Sequence, residues 1–240
     1  MKKVIVVGGG FAGIQLVRKL EPDFYDVLLI DRLNHHQFQP LFYQVATSQI
    51  EPSSISFPLR KLFRNRKNTQ IRLAEVQRIV PEKNLLETSI GVFEYDILVV
   101  ATGCRTNFFG NRDMEKHAYG LKTTYDAIMI RNSVLENFEK LMSAGVEEKP
   151  YLQNIVIVGA GPTGVELAGS FAEIRRNILP RDYAPVDFSD VKIILLEGSP
   201  NTLNSMSELA KTTVRRYLEK MGVVVKTGVY VQNYDGNNVI

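Results

Sequence analysis

Two glycine clusters carry the chemistry that this sequence announces. The first is Val4 to Gly13, VIVVGGGFAG, where four apolar, mostly β-branched residues run into Gly8, Gly10 and Gly13 at the G-x-G-x-x-G spacing. Each glycine has its own physical task. Gly8 permits a tight turn from strand to helix, Gly10 has no Cβ to hold a pyrophosphate off the backbone, and Gly13 lets the next helix pack closely. A pyrophosphate then rests on the helix N-terminus, whose free N–H groups and partial positive charge receive it. The second cluster is Asn154 to Gly164, NIVIVGAGPTG, with Gly159, Gly161 and Gly164 at the same spacing behind another β-branched run. A fingerprint repeated on a strand-to-helix boundary implies two dinucleotides or two nucleotide domains.

The elements needed to hold these turns follow in the sequence. Ile14, Leu16, Val17 and Leu20 give the first crossover helix its apolar stripe, and Tyr25 to Ile30 reads as a second strand. That strand ends in Asp31, close to the roughly 20-residue spacing of the acid that bonds a ribose hydroxyl. Behind Gly164 a helix is expected over Val165 to Leu179, with Ala168 and Gly169 keeping its packing face thin. A loop containing Pro180 and Pro185 then delays the strand Val191 to Leu196, which ends in Glu197. No Arg or Lys follows Glu197 in Gly198-Ser199-Pro200, so a 2′-phosphate would meet like charge and NADH is favoured over NADPH.

Between the clusters, Arg32 to Thr47 holds Pro40 and reads as a loop leading into a short helix. Gln39, Tyr43 and Gln44 offer hydrogen bonds to a heterocycle that Phe38, Leu41 and Phe42 would cover, with plain core packing as the alternative. Phe57 to Lys67 surrounds Leu59, Leu62 and Phe63 with five basic residues and reads as a solvated helix end, or else as a face for an anionic membrane surface. Gln70 to Val80, Leu85 to Ser89 and Gly91 to Val100 form the three strands of a meander, and the small residues Ala101, Thr102 and Gly103 allow backbone or ligand to come close. Leu121 to Gly145 predicts the longest helix, capped by Thr123 or Thr124 and burying Ile128, Val134, Leu135, Phe138, Leu141 and Met142. Ser205 to Glu208 reads as a capping box for a helix over Leu209 to Met221, followed by strands in VVVKT and VYVQNYDGNN with a turn at Asp235-Gly236. The fold class is α/β: two Rossmann-like units with parallel sheets, each with a β-meander crossover, divided as residues 1–112 and 113–240.

Composition narrows the function. The formal charge of +3, from 29 basic and 26 acidic residues, is too small to announce a nucleic-acid partner. A single cysteine, Cys104, excludes an intramolecular disulfide and fits a reducing compartment; it reads as a small buried hydrophobe rather than a nucleophile. No metal site is expected, since His35 and His36 diverge as neighbours and His117 is remote. The opening MKK-VIVV imitates a signal peptide, but its apolar run stops after four residues at three glycines. No stretch approaches the roughly 18 apolar residues of a membrane span. The chain stops in what reads as mid-sheet, so a fragment of a longer protein is expected.

The run DRLNHHQFQPLFYQVAT, the strand-terminal ATG and the second fingerprint GAGPTGVELAG resemble type II NADH dehydrogenases, the single-chain NADH:quinone oxidoreductases among the two-dinucleotide flavoproteins. The resemblance implies FAD on the first fingerprint and NADH on the second. It carries flavin contact to Gly8, Gly10, Phe11, Ala12, Gly13, Asp31, Arg32, Gln39, Gln44, Ala46, Val76, Ala101, Thr102 and Gly103, and NADH contact to Gly159, Gly161, Pro162, Thr163, Gly164 and Glu197. Glu166 matches a glutamate proposed to act near flavin and quinone, and by position it also reads as a first-turn acid favoured by the helix N-terminus. Quinone is the implied acceptor. A peripheral place on the cytoplasmic side of the inner membrane, with the membrane surface as partner of the full-length protein, is implied too, and a homodimer is compatible. Family members continue for well over a hundred residues beyond this similarity. The lone cysteine argues against the disulfide reductases of the same superfamily. An NADH-dependent reductase of a small iron–sulfur protein and a non-catalytic NADH-binding redox sensor stand as alternatives.

Overall fold

The computed structural model describes residues 1–184 and 186–240; Pro185, expected in the loop before the strand that ends at Glu197, lies outside them. In chain order the regular elements are β1 (Lys2–Val7), α1 (Phe11–Lys19), β2 (Tyr25–Asp31), β3 (His35–Gln37), α2 (Phe42–Ala46), β4 (Ser56–Pro58), α3 (Leu59–Phe63), β5 (Thr69–Leu73), β6 (Val76–Val80), β7 (Leu85–Thr88), β8 (Gly91–Glu94) and β9 (Ile97–Val100). They continue with α4 (Arg112–His117), α5 (Thr124–Ser143), α6 (Lys149–Leu152), β10 (Asn154–Val158), α7 (Pro162–Asn177), α8 (Leu179–Asp182), β11 (Lys192–Glu197), α9 (Glu208–Lys220) and β12 (Val223–Thr227). The chain divides into two compact units: residues 1–38 with 53–105, and residues 39–52 with 106–240.

The first unit is built on a four-stranded parallel sheet in the order β5-β2-β1-β9. Strand β1 is buried on both faces, as a parallel central strand must be. Its alternation sends Val4 and Val6 to one side, with Ile14, Val17, Leu59 and Phe63, and Ile5 and Val7 to the other, with Ala74, Leu86 and Tyr95. The chain leaves β1 toward β2 and later returns to its opposite flank at β9, so the strand order reverses beside β1, the place where open α/β sheets bind ligands at their carboxyl ends. The antiparallel meander β6-β7-β8 covers the second face. Arg66 closes the C-terminus of α1 by donating to the carbonyls of Arg18, at 2.9 Å, and of Leu20, the charge-to-carbonyl contact that a helix end favours.

The second unit repeats the plan with a parallel sheet β10-β11-β12. Helix α5 carries the expected capping box: Thr123 Oγ1 accepts from the Asp126 amide at 3.0 Å, and Asp126 Oδ2 accepts from the Thr123 amide at 2.9 Å. Its buried face holds Ala127, Ile130, Phe138 and Leu141. Phe138 and Leu141 join Ile174, Leu179, Phe188 and Val191 in the core of this unit. Arg175 donates to the carbonyls of Val191 at 3.0 Å, Met221 at 3.0 Å and Gly222 at 3.3 Å, tying α7 to the start of β11 and the end of α9.

The α/β architecture with parallel sheets is as the sequence led us to expect, and several elements differ in detail. The stretch from Gln70 to Val80 is two strands, because Ala74 turns in and donates to the Asp31 carbonyl at 3.0 Å, leaving β5 in the parallel sheet and β6 in the meander. Gly91 to Val100 is likewise split, at Tyr95-Asp96, where the chain passes from meander to β9. In the second unit the meander is reduced among the described residues to one antiparallel bridge, Tyr234 with Val239, around the Asp235-Gly236 turn. Asp235 Oδ1 there accepts from the amides of Asn237 and Asn238 and so consumes donors that a longer ladder would need. Helix α9 is capped by Ser207, not by a box at Ser205, because Ser207 Oγ is the acceptor that reaches the Ala210 amide. Ile128, Val134 and Leu135 are half-buried and Met142 is exposed, so α5 buries a narrower stripe than its periodicity suggests.

Candidate functional site

Each unit forms the same glycine turn from the same parts. Gly8 and Gly159 stand at φ of +109° and +101°, conformations that side-chain-bearing residues avoid. Their amides donate to the penultimate carbonyls of the neighbouring strand, Gly8 to Ile30 at 2.8 Å and Gly159 to Leu196 at 2.7 Å. A Cβ on Gly13 would lie 1.9 Å from the Gly8 carbonyl oxygen, and one on Gly164 would lie 1.9 Å from that of Gly159. The third glycine of each fingerprint is therefore needed to let the helix fold back onto the turn. A Cβ on Gly10 or Gly161 would meet nothing within 4 Å. That open cradle, backed by the N-termini of α1 and α7, fits a diphosphate in both units.

The acids complete the turns. Asp31 accepts from the Gly9 amide through Oδ2 at 2.5 Å and from the Leu33 amide through Oδ1 at 2.8 Å. Glu197 accepts from the Ala160 amide through Oε2 at 2.6 Å and from the Ser199 amide through Oε1 at 2.7 Å. Burial alone would raise the Glu197 carboxyl, but the Ser199 and Ala160 amides outweigh it and hold the group below its usual range. Both carboxylates are thus pinned and partly open at the mouth of their turn, which is what two ribose hydroxyls require of an acceptor. The middle residues Gly9 and Ala160, and the amides of Leu33 and Ser199, carry no side-chain signal and were not singled out by the sequence.

Other expected positions distribute as follows. In the first unit Ala101 lies against Gly8, where an added Cβ would be 2.3 Å from the Ala101 carbonyl oxygen, so the small residues do permit a close backbone approach. Phe11 and Ala12 open α1 and are exposed, while Thr102 and Gly103 continue outward from β9. Arg32 is exposed and faces Glu75 at 3.9 Å, and Val76 packs half-buried on the meander side of the core. Cys104 is exposed rather than buried, because the chain beyond Val100 leaves the sheet and has no regular structure to cover it.

In the second unit Gln39 and Tyr43 line a cleft of about 280 Å³ with Pro40, Phe42, Leu121, Lys122, Pro162, Thr163 and Glu166. Gln44 donates to the Tyr43 hydroxyl at 3.3 Å. Ala46 is buried and borders a separate, larger cavity of about 510 Å³ between α2, α5 and α7. Helix α7 begins at Pro162, a residue suited to a first helical position, so Glu166 is its fifth residue and not a first-turn acid. The helix-terminus explanation for that carboxylate weakens accordingly. Glu166 is itself an exposed residue, and the partial desolvation it meets at the cleft raises its carboxyl above the usual range. Lys122 went unnoticed in the sequence; it stands just before the α5 cap, its amide donating to Asp126 Oδ2 at 2.9 Å.

His36 is buried and its Nδ1 bonds the Gly9 carbonyl of the first glycine turn. Among the described residues no group of three or more His, Cys, Asp or Glu could hold a metal ion, and no helix is long and apolar enough to cross a membrane.

Twin glycine turns with pinned acids define a protein with two dinucleotide-binding units. Residues 2–240 match the family model of the pyridine nucleotide-disulphide oxidoreductases, and the chain belongs to that family. It is 34% identical over 242 residues to the type II NADH:quinone oxidoreductase Ndh of Mycobacterium tuberculosis, covering 99% of this chain and 52% of that protein. It is 31% identical to a mitochondrial external alternative NAD(P)H-ubiquinone oxidoreductase B1 of Solanum tuberosum, covering 96% and 42%. The structure of NDH2 from Plasmodium falciparum in complex with NADH superposes with a TM-score of 0.92 at 26% identity, covering 98% of this chain and 49% of that one. The chain spans about half the length of the curated relatives it matches.

Proposed function

We propose that the protein carrying this chain is an FAD-dependent oxidoreductase that takes hydride from NADH and delivers two electrons to a membrane quinone, without pumping protons. The observation that carries the reading is the duplication: two open glycine cradles, each with its acid fixed on the turn, in a chain similar to named NADH:quinone oxidoreductases. Residues 1–112 are assigned to FAD and 113–240 to NADH. On the first turn Gly10 would admit the pyrophosphate, with Phe11, Ala12 and Gly13 in the helix that receives it and Asp31 on the adenosine ribose. Arg32, Gln39, Gln44, Ala46, Val76, Ala101, Thr102 and Gly103 are assigned to the flavin's surroundings. On the second turn Gly161, Pro162, Thr163 and Gly164 would hold the NADH pyrophosphate, and Glu197 its ribose. The pinned charge of Glu197 favours NADH, since a 2′-phosphate would face it directly.

The bound flavin would supply the two-electron chemistry between a hydride donor and a quinone. The chain's own work is to bind, orient and handle protons. Glu166, with its raised carboxyl in a cleft beside Tyr43 and Lys122, is the residue we assign to proton handling, because quinone reduction consumes protons near neutral pH. The protein is read as peripheral on the cytoplasmic side of the inner membrane, with a homodimer compatible with the same chemistry.

The test is NADH-dependent reduction of a soluble quinone analogue by the full-length protein, with flavin followed by its visible absorbance. Turnover with a bleaching and recovering flavin is expected. Reduction of a small iron–sulfur protein with quinone left untouched would hand the function to that alternative, and NADH binding without any turnover would leave a sensor.

A further inference from the structure

The two glycine turns differ in what holds the carbonyl of their middle residue. In the second unit the Ala160 carbonyl accepts from the backbone amide of Leu203 at 2.8 Å. In the first unit the Gly9 carbonyl accepts from a side chain, His36 Nδ1, at 3.1 Å. A carbonyl only accepts, so this imidazole carries its proton on Nδ1. His36 is buried at 8% exposure on β3, which pairs with β4, and its ring meets the edge of Phe11 at 4.9 Å between centroids. The ring is thereby fixed from two directions.

A trans peptide is planar, so the C=O of Gly9 and the N–H of Gly10 point in opposite directions. Drawing the Gly9 carbonyl toward His36 aims the Gly10 N–H away from the imidazole, and a Cβ on Gly10 would meet nothing within 4 Å, so space for a ligand is open at this residue. The preceding peptide, Gly8–Gly9, is held in turn by the Gly9 amide donating to Asp31. The turn is stretched between a carboxylate and an imidazole, and the free N–H that results is the donor an anionic diphosphate needs.

We infer that His36 is a positioning residue for the first dinucleotide: its Nδ1–H orients the Gly9–Gly10 peptide so that the Gly10 N–H faces the diphosphate. The inference rests on the assignment of FAD to this turn. Leu203 performs the same task in the second unit with a backbone amide, so a side-chain substitution can unlock one turn and leave the other as an internal control.

The experiment uses the full-length protein and two variants. His36→Leu removes the donor and leaves the Gly9 carbonyl unpaired; His36→Asn keeps a donor, since the Asn amide nitrogen reaches about where Nδ1 stands. Stripped of flavin and titrated with FAD, His36→Leu should bind about tenfold more weakly, His36→Asn close to wild type, and NADH affinity should be equal in all three. An unchanged FAD affinity in His36→Leu overturns the inference. So does a His36→Asn variant as weak as His36→Leu, because packing and not donation would then be responsible. Amide hydrogen exchange over residues 8–12 without any cofactor gives a separate readout: it should quicken in His36→Leu and not in His36→Asn. If wild type binds no FAD while exchange follows this pattern, the cofactor assignment has failed and the positioning role stands; if exchange is alike in all three, the positioning role has failed.

Discussion

The first turn reads Gly-Gly-Gly and the second Gly-Ala-Gly, and the surroundings explain the difference. A Cβ on Gly9 would lie 2.8 Å from Leu59 Cδ1, and Leu59 is fully buried, whereas the methyl of Ala160 already sits in the core of its unit at 1% exposure. Gly8 is likewise pressed against Ala101 at the end of β9, while a Cβ on Gly159 would meet nothing within 4 Å. What the two turns share, down to the 1.9 Å that a Cβ on the third glycine would leave to the carbonyl oxygen of the first, is the part the fingerprint spacing encodes. What they do not share is set by the strands and helices packed around them. Spacing thus dictates the path of the turn, and packing decides how much the turn tolerates.

The largest effects should be equal in the two units. Gly13→Ala and Gly164→Ala each drive a methyl into a backbone carbonyl that cannot move without opening the turn, so each should cost about 3 kcal/mol or more. Chemical denaturation of the full-length protein measures this, and a mild loss in either one would break the parallel. Gly8→Ala and Gly159→Ala should separate, since both are strained by positive φ, at roughly 1–2 kcal/mol, but only Gly8 also meets Ala101. Equal losses would show that the strand beside the first turn does not matter.

Gly10→Val and Gly161→Val probe ligand rather than fold. Each adds bulk in open space, so the denaturation midpoint should hardly change, while Gly10→Val yields colourless protein that retains NADH affinity and Gly161→Val yields yellow protein that does not. Loss of both ligands in either variant would show that the cradles are not independent. A smaller effect is expected for Gly9→Ala, about 1–2 kcal/mol as Leu59 repacks, with the reverse change Ala160→Gly costing less than that; the two are compared by thermal unfolding.

The smallest effect is a matter of pH. Glu197 is held below its ordinary 4.5 by the Ser199 and Ala160 amides against the opposing push of burial. A depressed acid contributes stability above the unfolded value and loses it as pH falls through the folded one. Wild type should therefore exceed Glu197→Gln in stability at neutral pH, and the gap should close on acidification below about pH 4.5. A gap that stays constant with pH would mean that the carboxylate's charge plays no part in holding its turn.

Much of this was legible because it is local. Fingerprint glycines, apolar strands and the Thr123–Asp126 box are set by residues a few positions apart. The acids were found by their place at strand ends, even though a long loop displaced Glu197 from the usual count. What was misread depends on the path of the chain in space. Cys104 reads as a core residue because a free cysteine behaves as a small hydrophobe, yet the chain departs from the sheet there and leaves it exposed. Glu166 was put in a first turn because Pro162 was taken to precede its helix rather than begin it. His36 and Leu203 do equivalent work with a side chain and a backbone amide, and no residue pattern marks the second.

The guanidinium of Arg175 has a consequence for the order in which the second unit assembles. Its three carbonyl partners, on Val191, Met221 and Gly222, come from chain made after it, and Gly222 bends at φ of +82° with a would-be Cβ only 2.5 Å from Nη2. A nascent chain that has emerged only as far as α9 offers this charged side chain one of its three acceptors, Val191, and a parallel sheet short of its third strand. Closure is a late event, completed when residues 221 and 222 arrive, and in reverse the end of α9 and the beginning of β11 open together as one cooperative block.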